Sequence, residues 1–329
     1  MSKWYSFKKI DEQDCLFNFI ISMRSAGKTI AMKNKMLDIA KKGKRFVYIR
    51  RNATETKSTA MNEFFDKLFM LGYHTDMNNI KFEKDCFILD KNVIGYVIPL
   101  STSNNSRSMD FNDIDAIFFE EFILMEDDKH KYLKDEVFKF LELYSTIARD
   151  NDIKVYFIGN MIQLYNPYFI YFDLKPPSRG IKKWRDMAIE VWKSDTLEKE
   201  KNNTRFGRII ANTSYADYSI HNNSFETNNN LIRKMDKGAK PLFDFKYQNV
   251  IYGVWQSGNS LFISNIKANK NIIVAITEQD RDNNSITVKG FKQLWLYKYY
   301  RNATYNNLLF ATSDKMEQIS RSINKYITT

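Results

Sequence analysis

A chain of 329 residues, 43% hydrophobic and 27% charged, is long enough for two domains and has the balance of a globular protein. No apolar run reaches membrane-spanning length, the opening MSKWYSFKKIDEQD is not a signal peptide, and two cysteines with three histidines argue against a disulfide framework or a zinc site and fit a reducing cytoplasm. Net charge is +11, and from Leu231 onward 15 Lys and Arg face only 7 Asp and Glu. Such an excess favours a polyanionic partner through counterion release, but a basic, inert surface accounts for charge alone equally well.

Taken in order, the apolar runs CLFNFII (15–21), RFVYIR (45–50), CFILD and VIGYVIPL about a turn at Lys91-Asn92, DAIFF (115–119) and KVYFIG (154–159) predict strands. The stretches TIAMKNKMLDIAKKGK and KDEVFKFLELYSTIARDN predict helices between them. Strands without polar alternation, separated by helices, indicate an α/β domain with a mostly parallel central sheet covered on both faces. Its expected extent is 1–195. The polar SDTLEKEKNNT and the asparagine-rich HNNSFETNNN predict a linker or lid over 196–230, with a small helical element around TRFGRIIANTSYADYSI. From 231 to 329 hairpin-like runs and a closing helix, capped by Ser313 or Asp314, predict a smaller α+β domain.

The segment IISMRSAGKT carries the first chemical motif. A phosphate loop reads G-x-x-x-x-G-K-[ST], and Ser22 stands where its first glycine belongs. An apolar strand before and a helix-forming run after supply the context in which successive backbone N–H groups cradle a phosphate at the positive end of a helix. Lys28 is then expected to reach the β- and γ-phosphates of ATP, and Thr29 to ligate Mg²⁺. The second motif is DIDAIFFEEF, a strand ending in two carboxylates. Glu120 is expected to hold Mg²⁺, directly or through a water, and Glu121 to orient and deprotonate an attacking water. The alternative is a solvated acidic loop. Arg24 and Arg149 are candidates for stabilising transferred phosphoryl charge, although any isolated arginine reads as well as a surface residue. Asn160, after the strand KVYFIG, is a candidate sensor of the γ-phosphate, or ordinary turn chemistry. Arg50 and Arg51 end another strand on the same rim.

Together, LFNFIISMRSAGKTIAMK, FVYIRRN, IPLS, DAIFFEEF, IGNMIQLYNPYF and NTRFGRII resemble the DNA-packaging ATPase (encapsidation protein) of phi-29-type small podophages. NPYF and TRFGR are the more specific matches, since a generic phosphate-loop protein has no reason to carry both. The resemblance implies an additional-strand, catalytic-glutamate ATPase that assembles as a homomeric ring, pentameric in that family, at the portal vertex of a prohead in the host cytoplasm, and is absent from the mature virion. Double-stranded DNA, the portal (connector) and a packaging RNA are the implied partners, with no membrane. It further implies a phosphate loop of Ser22, Met23, Arg24, Ser25, Ala26, Gly27, Lys28 and Thr29. Arg149 falls at the family's trans-acting arginine finger, and Arg24 matches an arginine within the loop. Channel-facing loops place Arg107, Lys129 and Lys131 as candidates for DNA phosphate contact, where a solvated loop is the competing reading. Serine at 22 and glutamate at 120 depart from the usual pattern.

The same resemblance implies an RNase H-like C-terminal domain. A metal-dependent nuclease needs several converging carboxylates. Only Asp244 lies well inside a strand-like run, whereas Glu278, Asp280 and Asp282 crowd one turn, so no nuclease activity is expected. Two other classes stay open: a small-molecule kinase, which the tandem carboxylates argue against, and a nucleic-acid-binding ring subunit with little or no ATPase activity.

Overall fold

The computed structural model describes residues 3–108, 111–124, 131–160, 166–211, 213–220 and 231–327. The chain forms two compact units, Met1–Leu164 with Leu174–Phe225, and Tyr165–Asp173 with Glu226–Thr329.

The first unit is built on nine strands: β1 (Phe17–Ser22), β2 (Arg45–Arg50), β3 (Lys81–Glu83), β4 (Cys86–Leu89), β5 (Asn92–Pro99), β6 (Ile114–Glu120), β7 (Lys154–Asn160), β8 (Gly180–Trp184) and β9 (Met187–Trp192). They lie in the order β3-β4-β5-β2-β6-β7-β1-β9-β8. From β5 to β9 every neighbouring pair is parallel, and β3, β4 and β8 close the edges antiparallel. The strand between the two motif strands β1 and β6 is β7, which follows both in sequence; RFVYIR lies between them only along the chain. The pair β8–β9 was not legible as strand. Its β8, GIKKW, is almost wholly exposed, with the lysines that blunt a sheet edge.

Aromatic packing fills both faces. The helix Lys28–Lys41 lays Met32, Met36, Leu37 and Ile39 into a core with Ile20, Phe46, Tyr48, Phe118 and Tyr156. On the other face the helix Glu136–Ala148 buries Val137, Phe140, Leu143 and Ile147. There Phe19 stacks on Phe157 at 4.4 Å and Phe140 lies 4.8 Å from Phe157. A side chain at Gly95 would meet the Phe46 ring at 2.4 Å, so glycine there is what lets that ring lie on the sheet. The segment expected as a linker or lid holds three helices, Asp195–Asn202, Arg205–Ile210 and Ser214–Ser219, the last two within the stretch TRFGRIIANTSYADYSI expected to be helical, and all three group with this unit. Their caps are local: Ser194, Thr204 and Thr213 each accept a backbone N–H of the first turn.

The second unit has β10 (Lys240–Tyr247), β11 (Val250–Ser257), β12 (Ser260–Ser264), β13 (Ile273–Ala275), β14 (Ser285–Thr287) and β15 (Leu309–Ala311) in the order β14-β13-β10-β11-β12-β15. An antiparallel meander, β10 to β12, is flanked by parallel additions at both edges. Gln248 and Asn249, both at positive φ, make its two-residue hairpin turn. The closing helix Asp314–Ile327 is capped by Ser313, whose hydroxyl accepts the Met316 N–H. Ile170, from the helix Pro167–Tyr171, joins this core, and Asn166 caps that helix through two N–H bonds, which explains the NPYF motif. Among the described residues no helix is long and apolar enough to cross a membrane.

Candidate active site

Strand β1 is buried along its whole length and delivers Ser22 to the C-terminal edge of the sheet. Ser22 needs no left-handed backbone; positive φ falls on Ser25 (57°) and Gly27 (89°). The missing first glycine therefore costs no strain. Its replacement has work of its own, because the Ser22 hydroxyl accepts the Lys28 ammonium at 2.7 Å. Gly27 begins the helix in a conformation that a side chain would strain, and a Cβ there would meet Trp4 at 3.4 Å. The loop is braced from outside as well. Tyr5 N–H donates to the Ala26 carbonyl at 3.0 Å, and its hydroxyl donates to Glu190 of β9 at 3.1 Å.

Lys28 is buried, and its ammonium also donates to the Ser22 and Met23 carbonyls at 3.3 and 3.1 Å and to Asn160 Oδ1 at 3.0 Å. Burial pushes its pKa down to about 7; Glu120 opposes this and Lys201 adds to it. The contact with Asn160 brings the end of β7 to the phosphate loop. Gly159 beside it leaves room for the ring of Phe122, 3.0 Å from where a Cβ would sit.

The second motif meets the first directly. Thr29 Oγ1 donates to Glu120 Oε1 at 2.5 Å. The other oxygen of Glu120 accepts from the Tyr48 hydroxyl at 2.7 Å and from Arg50 Nη1 at 3.4 Å. A hydroxyl and a carboxylate in contact at the start of a phosphate-loop helix are the hard-oxygen donors that Mg²⁺ takes from protein, the remainder coming from phosphates and water. These residues fit that ion, and the extra methylene of glutamate is absorbed by Tyr48 and Arg50. Glu121 sits at φ 60°, turning the chain just past β6 so that its half-exposed carboxylate stands beside Glu120. Its N–H donates to the Ile158 carbonyl at 2.7 Å, and Arg50 Nη2 binds its carboxylate at 2.8 Å. Arg50 also pairs with Glu55. Burial opposes the charge of Arg50, but Tyr48, Glu121, Glu120 and Glu55 together raise its pKa above the ordinary value.

Arg51, the first residue past the end of β2, points the other way. It is 1% exposed, bonds both oxygens of Glu136 at 2.8 and 2.9 Å, and donates to the carbonyls of Glu121 and Phe122 at 2.9 and 3.0 Å. Tyr132 lies 5.0 Å from its guanidinium, and its hydroxyl accepts the Leu124 N–H at 2.9 Å. The turn bearing Glu121 is thus held by a buried ion pair.

The expected residues Ser22, Lys28, Thr29, Glu120, Glu121 and Asn160 are brought together at the C-terminal ends of β1, β6 and β7. Arg24 is exposed on the loop. Arg149 is not brought to the site. It ends the helix Glu136–Ala148 as an exposed cap at positive φ near the strands' N-terminal ends, where Tyr144 packs on Phe17. The length of β1, about 16 Å, separates that end from Ser22. Lys131 is exposed. Position 107 falls in the short helical segment Leu100–Ser108, while its side chain, and all of Lys129, lie outside the described residues. Tyr48, Glu136 and Lys201 were not anticipated; only a tyrosine inside RFVYIR, at the register of Phe118, gave any sign. In the second unit Asp244 is buried and accepts the Ala268 N–H at 2.7 Å, and Asp280 accepts from Asn249 and Thr277.

Comparison with known proteins accords with this geometry. The family described as Podovirus DNA encapsidation protein (Gp16) matches residues 1–327. The DNA packaging protein of Bacillus phage phi29 is 28% identical over 315 residues, covering 94% of this chain and 93% of that protein. A chain of the bacteriophage Phi-29 viral genome packaging motor assembly superposes with a TM-score of 0.70 at 26% identity, over 99% of this chain and 100% of that one. The N-terminal domain of the DNA packaging ATPase from bacteriophage phi29 gives 0.53 at 28% identity, over 60% of this chain and 98% of that one. With a match across essentially its whole length, the chain belongs to the podovirus DNA encapsidation protein family.

Proposed function

We propose that this protein is the ATPase of a genome-packaging motor, coupling ATP hydrolysis to the movement of double-stranded DNA into a prohead. The carrying observation is the 2.5 Å contact between Thr29 and Glu120, residues 91 apart in sequence, with Lys28 and Glu121 adjoining. It joins the two motifs into one site, and the relative named a DNA packaging ATPase is alike over this same unit.

In this reading the β- and γ-phosphates of ATP draw the Lys28 ammonium from Ser22, Met23 and Asn160, and the phosphate charge restores the proton that burial disfavours. The loop N–H groups complete the cradle. Thr29 and Glu120 would hold Mg²⁺, which would supply neutralisation of phosphate charge. Glu121, released from Arg50, orients a water and takes its proton as oxygen attacks the γ-phosphorus and the bond to ADP breaks. Asn160, hydrogen-bonded to Lys28, senses the loss of the γ-phosphate. Arg24 contributes charge from the loop, and Arg149, remote from its own site, serves a neighbouring subunit.

The ring is homomeric, of five subunits by resemblance, and works at the portal vertex in the host cytoplasm with the portal and a packaging RNA as partners. Arg107, Lys129 and Lys131 contact DNA phosphates. The chain divides into an ATPase domain, a lid after residue 195, and a basic C-terminal domain that binds nucleic acid or portal rather than cutting DNA. Asp244 and Asp280, taken up by backbone donors, support that last point.

The test is ATP turnover by the purified protein with and without double-stranded DNA, beside Glu121→Gln, repeated with proheads. DNA-stimulated turnover that disappears in the variant supports the assignment. Turnover unaffected by it removes Glu121 from the chemistry. No turnover even with proheads leaves the nucleic-acid-binding ring subunit.

A further inference from the structure

The phosphate loop is touched by a second lysine, one that no motif contains. Lys201 lies in the last turn of the helix Asp195–Asn202, and its ammonium donates to the Arg24 carbonyl, in the middle of the loop, and to the Ser219 carbonyl at 3.0 Å. Leu197, one helical turn earlier and so on the same face, packs with Met23 and Ala26. One helix face thus addresses the loop twice, by an apolar and a charged contact. Burial first and Arg24 second lower the pKa of Lys201, and its charge in turn helps push Lys28 down.

The backbone of Lys201 is engaged as fully as its side chain. Its carbonyl accepts the Thr204 N–H at 3.1 Å and hydroxyl at 2.7 Å, and Thr204 in turn caps the next helix by accepting the Gly207 N–H at 2.8 Å. A Cβ at Gly207 would lie 2.0 Å from that carbonyl oxygen. This is the physical content of TRFGR: threonine and glycine press the helix Arg205–Ile210 onto Lys201.

We infer that Lys201 is a positioning residue of the phosphate loop, which sets the Arg24–Ser25 peptide plane and links it to the helices of residues 205–219. The peptide unit is planar, so a carbonyl fixed on one side aims the Ser25 N–H to the other, where the loop presents donors to phosphate. Lys28 holds the preceding carbonyl, that of Met23, only until phosphates draw it away. Lys201 is held by a different helix and keeps its carbonyl when that happens. The inference rests on the nucleotide site proposed above.

The experiment compares Lys201→Met and Lys201→Arg with the full-length wild type, after circular dichroism and thermal melting show equal folding. Three quantities are read: binding of a fluorescent ADP analogue, KM against kcat for ATP, and amide exchange of peptides over residues 22–27 without nucleotide. Lys201→Met is expected to weaken binding and raise KM about ten-fold, the scale of one charged hydrogen bond, with kcat within about two-fold. Loop amides exchange faster, and Lys201→Arg recovers most of each effect. Unchanged KM and loop exchange in a folded Lys201→Met protein overturn the inference, as does a loss that arginine leaves unrepaired. If the wild type binds no nucleotide, the site reading fails separately, and loop exchange still decides whether Lys201 holds the loop.

Discussion

Arg51 and Glu136, 85 residues apart in the chain, meet as a two-pronged ion pair in the interior, each side chain 1% exposed. Arg51 turns its remaining donors to the carbonyls of Glu121 and Phe122. Removing one partner leaves a buried charge alone, which costs roughly 3–5 kcal/mol. Arg51→Met is therefore expected to lower stability by about that amount in urea unfolding, and Arg51→Met with Glu136→Leu to recover a large part. The double variant should still turn over ATP poorly, because the turn carrying Glu121 has lost its hold. Full activity in a stable double variant would show that the pair only fills the core.

Glu121→Gln keeps the size and the polar contact with Arg50 but abolishes the base. Expected is a fall in kcat of roughly 10²–10⁴-fold, the usual contribution of a positioned base, with nucleotide affinity within a few-fold. Single-turnover hydrolysis beside equilibrium binding separates the two.

Burial depresses the pKa of Lys28 to about 7. Phosphate favours the ammonium, so above that pH binding must carry a proton in with the ligand. Affinity for ATP is expected to fall as pH rises from 7 to 9, with proton uptake measurable by calorimetry in buffers of different ionisation enthalpy. The sign for folding is opposite: the unfolded lysine binds the proton more tightly, so this group favours the native state increasingly as pH rises above about 7. An affinity flat across that range would mean Lys28 is already charged before nucleotide binds.

Arg149 ends its helix far from Ser22 of the same chain, so a role in hydrolysis requires a neighbour's site. Rings mixed from Arg149→Ala and Glu121→Gln subunits are expected to regain part of the turnover that each lacks alone, because some interfaces unite an intact glutamate with an intact arginine. Mixtures no more active than the separate variants would place Arg149 outside the trans arrangement.

Gly207 has no space for a side chain against the Lys201 carbonyl. Gly207→Ala should displace the helix Arg205–Ile210 and lower stability by about 1–3 kcal/mol, as overpacking does. Thermal melting beside Gly238→Ala, where nothing lies within 4 Å, gives the control.

What the chain declares by itself is what depends on near neighbours. Unbroken apolar runs marked the buried parallel strands, because a strand covered on both faces has no polar side to alternate. Gly27-Lys28-Thr29 between strand and helix, and two carboxylates at a strand end, identified the candidate site, since phosphate and water chemistry require those groups at those junctions. Ser22 was ambiguous in sequence, and the fold resolved it: the position is the last residue of a strand, where left-handed backbone is not required. The strand β8 shows no hydrophobic period because it lies at an edge, exposed and lysine-bearing, and Glu190 interrupts the apolar run of the buried strand β9.

The tertiary structure alone decided which strand separates the two motifs, which arginine of Arg50-Arg51 holds the Glu121 carboxylate and which its carbonyl, and that Lys201 fastens the phosphate loop. The arginine and lysine contacts are hydrogen bonds between residues 70 or more positions apart. Such partners leave no local period, cap or turn in the sequence. They are set by which side chains the sheet order and helix packing bring within reach of one another, and that order exists only once the chain has folded.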